Sequence, residues 1–153
     1  MQSGERTSLE WRGFADLSAA LLYEVLRFRQ AIFVVEQASP YPDLDGLDQA
    51  AQHLLLRIDD GLAGYLRLIP CRAEARVAIG RVAVAAEMRR RGIARRLMAE
   101  ALARCRNQHP GHAIVLTAQT YLAPFYEEFG FRATGTPYDD YGLSHVAMAL
   151  EEE

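Results

Sequence analysis

Lysine is absent from this sequence of 153 residues, so all 17 basic side chains are arginine. Because there are 20 acidic residues, the formal charge at pH 7 is −3, which argues against a broad nucleic-acid-binding surface. The sequence also lacks any apolar run of about 18 residues, the length that a membrane-spanning helix needs. We therefore expect neither a nucleic-acid partner nor membrane insertion.

Cysteine is scarce, and this scarcity excludes the disulfide framework of a small secreted protein. Cys71 and Cys105 are the two cysteines, and both are expected to pack as small apolar side chains. The N-terminal residues lack the apolar core of a secretion signal. These features predict a cytoplasmic protein.

Two segments resemble metal sites only superficially. His109 and His112 lie in a turn-like stretch that offers no third ligand. Residues 43–48 repeat aspartate as a calcium loop does, but Leu54 stands at the closing position where such a loop needs glutamate. We therefore expect no metal. The carboxylates of residues 43–48 either cap the backbone or face a substrate, and the sequence leaves both readings open.

The pattern of apolar residues predicts one domain over residues 1–153, of the α/β (α+β) class. Strands are predicted at residues 8–14, 31–35, 53–58, 62–69, 76–85, 113–118, 131–134 and 144–150. Helices are predicted to start at the candidate caps Asp16 or Ser18, to run from Gly92 through Cys105, and to cover residues 122–129. The middle helix then connects two parallel strands.

Five arginines are concentrated in the stretch RRRGIARR, residues 89–96, at the transition from a strand to a helix. The first N–H groups of a helix have no internal partner, and the helix dipole places positive charge there. Gly92 and Ala94 have almost no side chain to keep an anion away from those amides. The stretch therefore suits a pyrophosphate group.

This stretch also follows a known motif. Arg89-x-x-Gly92-x-Ala94 resembles the Q/R-x-x-G-x-G/A motif of the GNAT acyltransferase superfamily, and AQTYLAPFYEEFGF resembles a later motif of the same superfamily. Residues 26–58, 79–84, 118–119 and 141–150 resemble the ElaA-like branch. The similarity extends over nearly the whole chain.

The resemblance implies a GNAT fold, which is a mixed, mostly antiparallel sheet of six to seven strands flanked by helices. In this fold a splayed parallel strand pair holds acyl-CoA, with acetyl-CoA as cosubstrate. The strand before the arginine stretch would bind the pantetheine arm through Val82, Ala83 and Val84. The residues implied for the pyrophosphate are Arg89, Arg90, Arg91, Gly92, Ile93, Ala94 and Arg95. Tyr126 would protonate the departing thiolate, although it could instead be a packing aromatic.

The implied activity is N-acetyl transfer to a primary amine of a small-molecule or peptide acceptor. A thioester is already electrophilic, so direct attack in a ternary complex needs no covalent intermediate. The attacking ammonium must first lose a proton, and Glu36, His145 and His53 are candidate bases. Glu36 could instead pair with Arg27 or Arg29, and a chain of water molecules could serve as the base. The sequence does not choose among them.

Other functions stay open at this stage. The chain could bind acyl-CoA as a sensor without turnover, or act like an acyl-homoserine-lactone synthase, although Trp11 is its only tryptophan. The arginine stretch could bind RNA or an acidic partner, but no base-stacking aromatic lies within it. A homodimer is compatible with the sequence.

Overall fold

The computed structural model describes residues 4–151, and its centre is one sheet of eight strands. The first four strands form an antiparallel meander. They are β1 (Thr7–Gly13), β2 (Gln52–Ile58), β3 (Gly61–Cys71) and β4 (Arg76–Val84). The later strands are β5 (Ala113–Gln119), β6 (Phe131–Ala133), β7 (Tyr138–Asp140) and β8 (Leu143–Leu150). Strand β5 runs parallel to β4, whereas β8 pairs antiparallel with β5, β6 and β7.

The predicted fold class is confirmed, because this mostly antiparallel sheet contains one parallel pair and is flanked by helices. The helices are α1 (Ala19–Gln30), α2 (Ile93–Gln108) and α3 (Ala123–Glu127). The sheet has more strands than expected because β7 pairs with β8 although it is only three residues long. So short a strand leaves no alternating pattern in the sequence. Across residues 4–151, no helix is long and apolar enough to cross a membrane.

Helix α1 begins where the sequence predicted, with the Ser18 hydroxyl oxygen accepting a hydrogen bond from the Leu21 amide at 3.1 Å. The prediction of a strand over residues 31–35 is wrong, because the chain continues α1 as a π-helix, Ala31–Glu36. β-branched residues favour strands on average, but burial of Ile32 against the fold overrides that preference. No glycine or proline separates these residues from α1, so the helix continues.

The main hydrophobic core lies between α2 and one face of the sheet. Gly64 on β3 lets the helix approach closely, because a Cβ atom there would lie 2.8 Å from Ile93 Cγ2 and 3.0 Å from Leu97 Cδ1. Both contacts fall in the first two turns of α2. Gly64 therefore fixes the position of this helix's N-terminus over the sheet.

A polar network lies on the other face of the sheet and joins α1, the loop over residues 43–48, β3 and β4. Arg29, which is completely buried, donates to Asp43 at 3.0 Å and to Asp48 at 2.7 Å. Arg67 donates to Asp48 at 2.8 Å and also pairs with Asp45. The network extends to β4 through Arg81, whose Nε donates to Asp43 at 2.8 Å. These ion pairs balance three arginines with three aspartates.

The pKa values in this network follow from the pairing. Burial would raise the pKa of Asp45, but hydrogen bonds from Arg67 and the Leu47 amide outweigh it and lower the pKa to about 2. Burial would also raise the pKa of Asp48, yet hydrogen bonds and charges of Arg29 and Arg67 lower it. Most of the carboxylate contacts in residues 43–48 are therefore with arginine, although Asp45 also caps the Leu47 amide at 3.0 Å.

We predict that Arg29→Met lowers the free energy of unfolding by about 3–5 kcal/mol, because Asp43 and Asp48 each lose one of two arginine partners and the buried network is left with three carboxylates and two cations. Arg76→Met is the matched control, since Arg76 pairs with Glu74 where both side chains are about half exposed. Its cost should stay below about 1 kcal/mol. Urea denaturation of both variants checks the prediction, and equal losses would contradict it.

Candidate active site

The two parallel strands diverge part-way along their length. Pairing between β4 and β5 runs from Arg76 opposite Ala113 to Ile79 opposite Leu116 and then stops. Both strands continue, β4 to Val84 and β5 to Gln119. The edge of β4 that would otherwise pair with β5 is therefore free of a strand partner beyond Ile79, and a cleft opens there.

A β-bulge in β4 accompanies this divergence. Between the Arg67–Gly80 and Tyr65–Ala83 pairs, β4 contains one residue more than β3. Arg81 lies within the bulge and has a left-handed φ of 54°. Bulges bend a strand and redirect its peptide groups. The bulge therefore turns the second half of β4 away from β5.

Two cavities meet in the cleft. The first has a volume of about 500 Å³ and lies beside the N-terminus of α2. The second has a volume of about 580 Å³ and extends over the sheet face formed by β4, β5 and β8. The residues that line both cavities are Phe33, Gln37, Val82, Gln119, Leu122 and Tyr126. A molecule in one cavity could therefore contact a molecule in the other at this junction.

The first cavity brings together almost all of the residues predicted to bind acyl-CoA. Its lining includes Val82, Ala83, Val84, Arg89, Arg90, Gly92, Ile93, Ala94 and Arg95. Arg91 is the exception, because its guanidinium group is directed to Glu5 and to the sulfur of Met88 instead. Motif spacing could not separate Arg91 from its neighbours, since the partner Glu5 is distant in sequence.

The N-terminus of α2 opens into the first cavity. Gly92 has a φ of 78° and precedes the helix, and no side chain caps the helix within the described part of the chain. The first hydrogen bond of the helix is from the Arg96 amide to the Gly92 carbonyl, at 3.1 Å. The three preceding amides therefore have no helical acceptor. No atom lies within 4 Å of a Cβ placed on Gly92, so an anion can approach them.

The arginines of the first cavity also make specific pairs. Arg89 forms a two-pronged ion pair with Glu36, and its Nε donates to the Val84 carbonyl at 3.1 Å. The hydrogen bond from Arg89 lowers the pKa of the Glu36 carboxyl. Glu36 therefore lies on the side of the arginine stretch and is stabilised in its charged form. Its partner is Arg89 and not Arg27 or Arg29.

Tyr126 lies at the junction of the two cavities, on α3. The residue is only 7% exposed, and its ring packs edge-on against Phe125, with centroids 5.1 Å apart, and against Phe131 at 6.3 Å. Burial raises the pKa of Tyr126 to about 12, so the phenol is protonated at neutral pH. Within residues 4–151 no side chain or carbonyl forms a hydrogen bond with its hydroxyl group. The aromatic packing thus holds a neutral donor at the junction.

His145 lies in the second cavity, on β8 opposite both Gln119 and Tyr138. Its Nδ1 lies 2.9 Å from the Leu143 carbonyl oxygen. A carbonyl can only accept, so Nδ1 carries the proton and Nε2 of the neutral ring has a free lone pair. The local geometry therefore leaves His145 able to accept a proton.

The structure does not bring His53 to either cavity. This residue is completely buried, with Nδ1 2.5 Å from the Tyr65 hydroxyl and Nε2 2.9 Å from the Asp48 carbonyl. Burial lowers the pKa of His53. Both ring nitrogens are thus engaged in the polar network. In the part of the chain that the structure describes, no three metal-ligating side chains converge on one point.

Several residues of the second cavity were not assigned from the sequence. They are Tyr41, Tyr138, Asp140 and Leu143. The last three belong to the β7–β8 hairpin, whose turn contains two left-handed residues, Tyr141 and Gly142. The Tyr-Gly pair between short polar runs was the available signal for this hairpin.

Comparison with known proteins places this geometry in context. The sequence profile of the acetyltransferase (GNAT) domain matches residues 24–152. ElaA of Escherichia coli is 36% identical over 148 residues, covering 94% of this chain and 97% of ElaA. The UPF0039 protein sll0451 of Synechocystis is 38% identical over 140 residues, covering 90% of this chain and 91% of the relative.

Solved structures agree with this result. The crystal structure of E. coli ElaA superposes with a TM-score of 0.89 at 34% identity, covering 95% of this chain and all of that chain. The structure of an acyl-CoA N-acyltransferase from Pseudomonas aeruginosa gives the same TM-score, identity and coverage. These relatives share the fold over nearly their full length.

Proposed function

Since this chain belongs to the GNAT acyltransferase family, we propose that it transfers an acetyl group from acetyl-CoA to a primary amine of a small-molecule or peptide acceptor. The observation that carries the proposal is the meeting of two cavities at Tyr126. One cavity has the donor set that acyl-CoA requires, and the other contains an imidazole with a free nitrogen. The P. aeruginosa relative, described as an acyl-CoA N-acyltransferase, supports the same chemistry.

The first cavity fits acyl-CoA by its chemistry. The amides of residues 93–95 and the dipole of α2 would hold the pyrophosphate, and the exposed Arg90 adds positive potential. The free edge of β4 at Val82, Ala83 and Val84 would bind the amide groups of the pantetheine arm as a strand binds its neighbour. This arrangement directs the thioester towards the junction at Tyr126.

The acceptor would enter through the second cavity, which we call the acceptor cavity. His145 Nε2 takes a proton from the acceptor ammonium, and the neutral nitrogen attacks the thioester carbonyl. A C–N bond forms and the C–S bond breaks, so the sulfur leaves as a thiolate. Tyr126 then gives its phenolic proton to that thiolate, and the phenolate takes back the proton that the acylated nitrogen must lose to become a neutral amide. The amine and thioester react directly, without an acylated side chain.

We assign the base to His145 and not to Glu36 because of where the two residues lie. Glu36 lines only the first cavity and its carboxylate is held by Arg89. A carboxyl with a lowered pKa is a weak base. Glu36 would instead position Arg89, whose Nε supports the Val84 carbonyl at the end of β4.

The cofactor assignment is tested by Gly92→Val. Acetyl-CoA stabilises the folded state in proportion to RT ln(1 + [L]/Kd), so it should raise the melting temperature of the wild type. A valine side chain at Gly92 would stand over the free amides and abolish that rise. The matched control is Gly111→Val, because Gly111 has nearly the same φ, 81° against 78°, and is equally free of neighbours. Both variants should lose about 1–2 kcal/mol of stability from backbone strain.

A wild-type melting curve unchanged by millimolar acetyl-CoA would contradict the whole assignment. Loss of the ligand effect in both glycine variants would show that strain, and not the blocked site, is responsible.

Tyr126→Phe tests the proton donor. The substitution keeps the ring that packs against Phe125 and Phe131, so folding and acetyl-CoA binding should be preserved. We expect kcat to fall about a hundredfold with little change in the KM for acetyl-CoA, because only the leaving step loses its acid. Release of free CoA measures the rate. Tyr23→Phe, at an exposed position on α1, is the control. Equal activity of both variants would return Tyr126 to a packing role.

His145→Gln tests the base. We expect kcat/KM to fall about a hundredfold near neutral pH and to recover partly as the pH rises, because more of the acceptor amine is then neutral without help. His112→Gln serves as control, since His112 lines neither cavity. A fall that does not depend on pH would contradict the role. Acetyl-CoA binding without CoA release from any amine would instead favour a sensor.

A further inference from the structure

The charges that line the acceptor cavity are unevenly satisfied. Its three arginines are all paired with carboxylates: Arg67 with Asp45 and Asp48, Arg81 with Asp43 and Asp45, and Arg76 with Glu74. Each of these cations thus has at least one carboxylate partner, although the buried Nε of Arg67 has no hydrogen-bond partner among the described residues. The positive charge of the cavity wall is already neutralised by the fold itself.

Asp140 is the carboxylate that lines the same cavity, and it differs from those arginines. It is half-buried on β7, and within residues 4–151 its carboxylate forms neither an ion pair nor a hydrogen bond. Its neighbour Asp139 does not line the cavity and accepts a hydrogen bond from the Gly142 amide at 3.3 Å. A half-buried carboxylate without a partner is a binding group for a cation.

The register of the β7–β8 hairpin places Asp140 near the proposed base. Tyr138 lies opposite His145, and Asp140 lies opposite Leu143. Residues two apart on a strand share a face, so all four side chains are directed to the acceptor cavity that they line. Asp140 and His145 are therefore diagonal neighbours, a relation in which the Cβ atoms lie about 7 Å apart. The half-exposed ring of Tyr138 lies beside them and can also contact a cation.

We infer that the acceptor is an amine that carries a second positive charge, and that Asp140 binds this second charge while the reacting amine lies at His145. The inference rests on the proposed acetyl transfer. The attacking nitrogen must be neutral when it reacts, so a carboxylate gains most from a different, permanently charged group. This substrate class includes diamines, and it includes peptides in which the reacting amine lies near a second positively charged group.

The test compares two acceptors that match in length but differ in terminal charge, putrescine and n-pentylamine. Free CoA release with saturating acetyl-CoA gives kcat/KM for each. We expect the wild type to prefer putrescine by about tenfold, the effect of one charge-assisted contact. Asp140→Asn should lower kcat/KM for putrescine about tenfold and leave that for n-pentylamine nearly unchanged.

Asp139→Asn is the matched control, because it removes the same charge from the adjacent residue and keeps an oxygen that can accept from Gly142. It should retain the wild-type preference. The rise in melting temperature with acetyl-CoA verifies that each variant is folded. The wild-type preference is a separate readout that needs no variant.

Four results would overturn the inference. The wild type could show no preference for putrescine, or Asp140→Asn could lose activity equally with both amines. Either result would show that Asp140 does not bind a second positive charge on the acceptor. CoA release only with amines that lack a second positive charge, including those that carry a carboxylate, would also contradict the inference but would leave the proposed acetyl transfer intact. If none of the amines caused CoA release, the proposed acetyl transfer would be overturned, and this inference with it.

Discussion

The constraint on which the site depends is the end of backbone pairing between β4 and β5 after Ile79 and Leu116. Up to that point the two strands satisfy each other's peptide groups. Beyond it, β4 has a free edge, and the space between the strands becomes the junction of two cavities. A buried unpaired edge is costly, since its peptide groups lose water without gaining a partner. The edge therefore suits a substrate that supplies amide groups of its own.

The polar network explains how this opening is maintained. Arg81 has a left-handed φ of 54° within a strand, a conformation that costs a non-glycine residue about 1–2 kcal/mol. Its guanidinium group donates to Asp43 at 2.8 Å and to the Tyr41 hydroxyl at 3.0 Å, and it lies 5.0 Å from the centre of the Tyr41 ring. Asp43 is held in turn by Arg29. The bulge is thus tied to the buried end of α1, and these contacts offset its strain.

Features encoded in neighbouring residues could be predicted from the sequence, whereas contacts between residues distant in sequence could not. Neighbouring residues encode strand β4, the start of a helix at Gly92 and the apolar face of α2, so these features were predicted correctly. The π-helix was missed because its β-branched residues favour a strand, while burial against the fold decides otherwise. The arginine–aspartate pairs join residues 14 to 38 positions apart, and no local pattern encodes them. The orientation of Asp140 likewise follows from its register with β8.

The two cavities have opposite charge balances. The first combines the positive end of α2 with the exposed Arg90, and its acidic residue Glu36 is neutralised by Arg89. The acceptor cavity has the reverse balance, because its arginines are neutralised and Asp140 is not. For the proposed reaction, this charge distribution would favour an anionic acyl donor on one side of the junction and a cationic acceptor on the other. Tyr126 stands between them as a neutral hydroxyl, since its raised pKa keeps it uncharged towards both substrates.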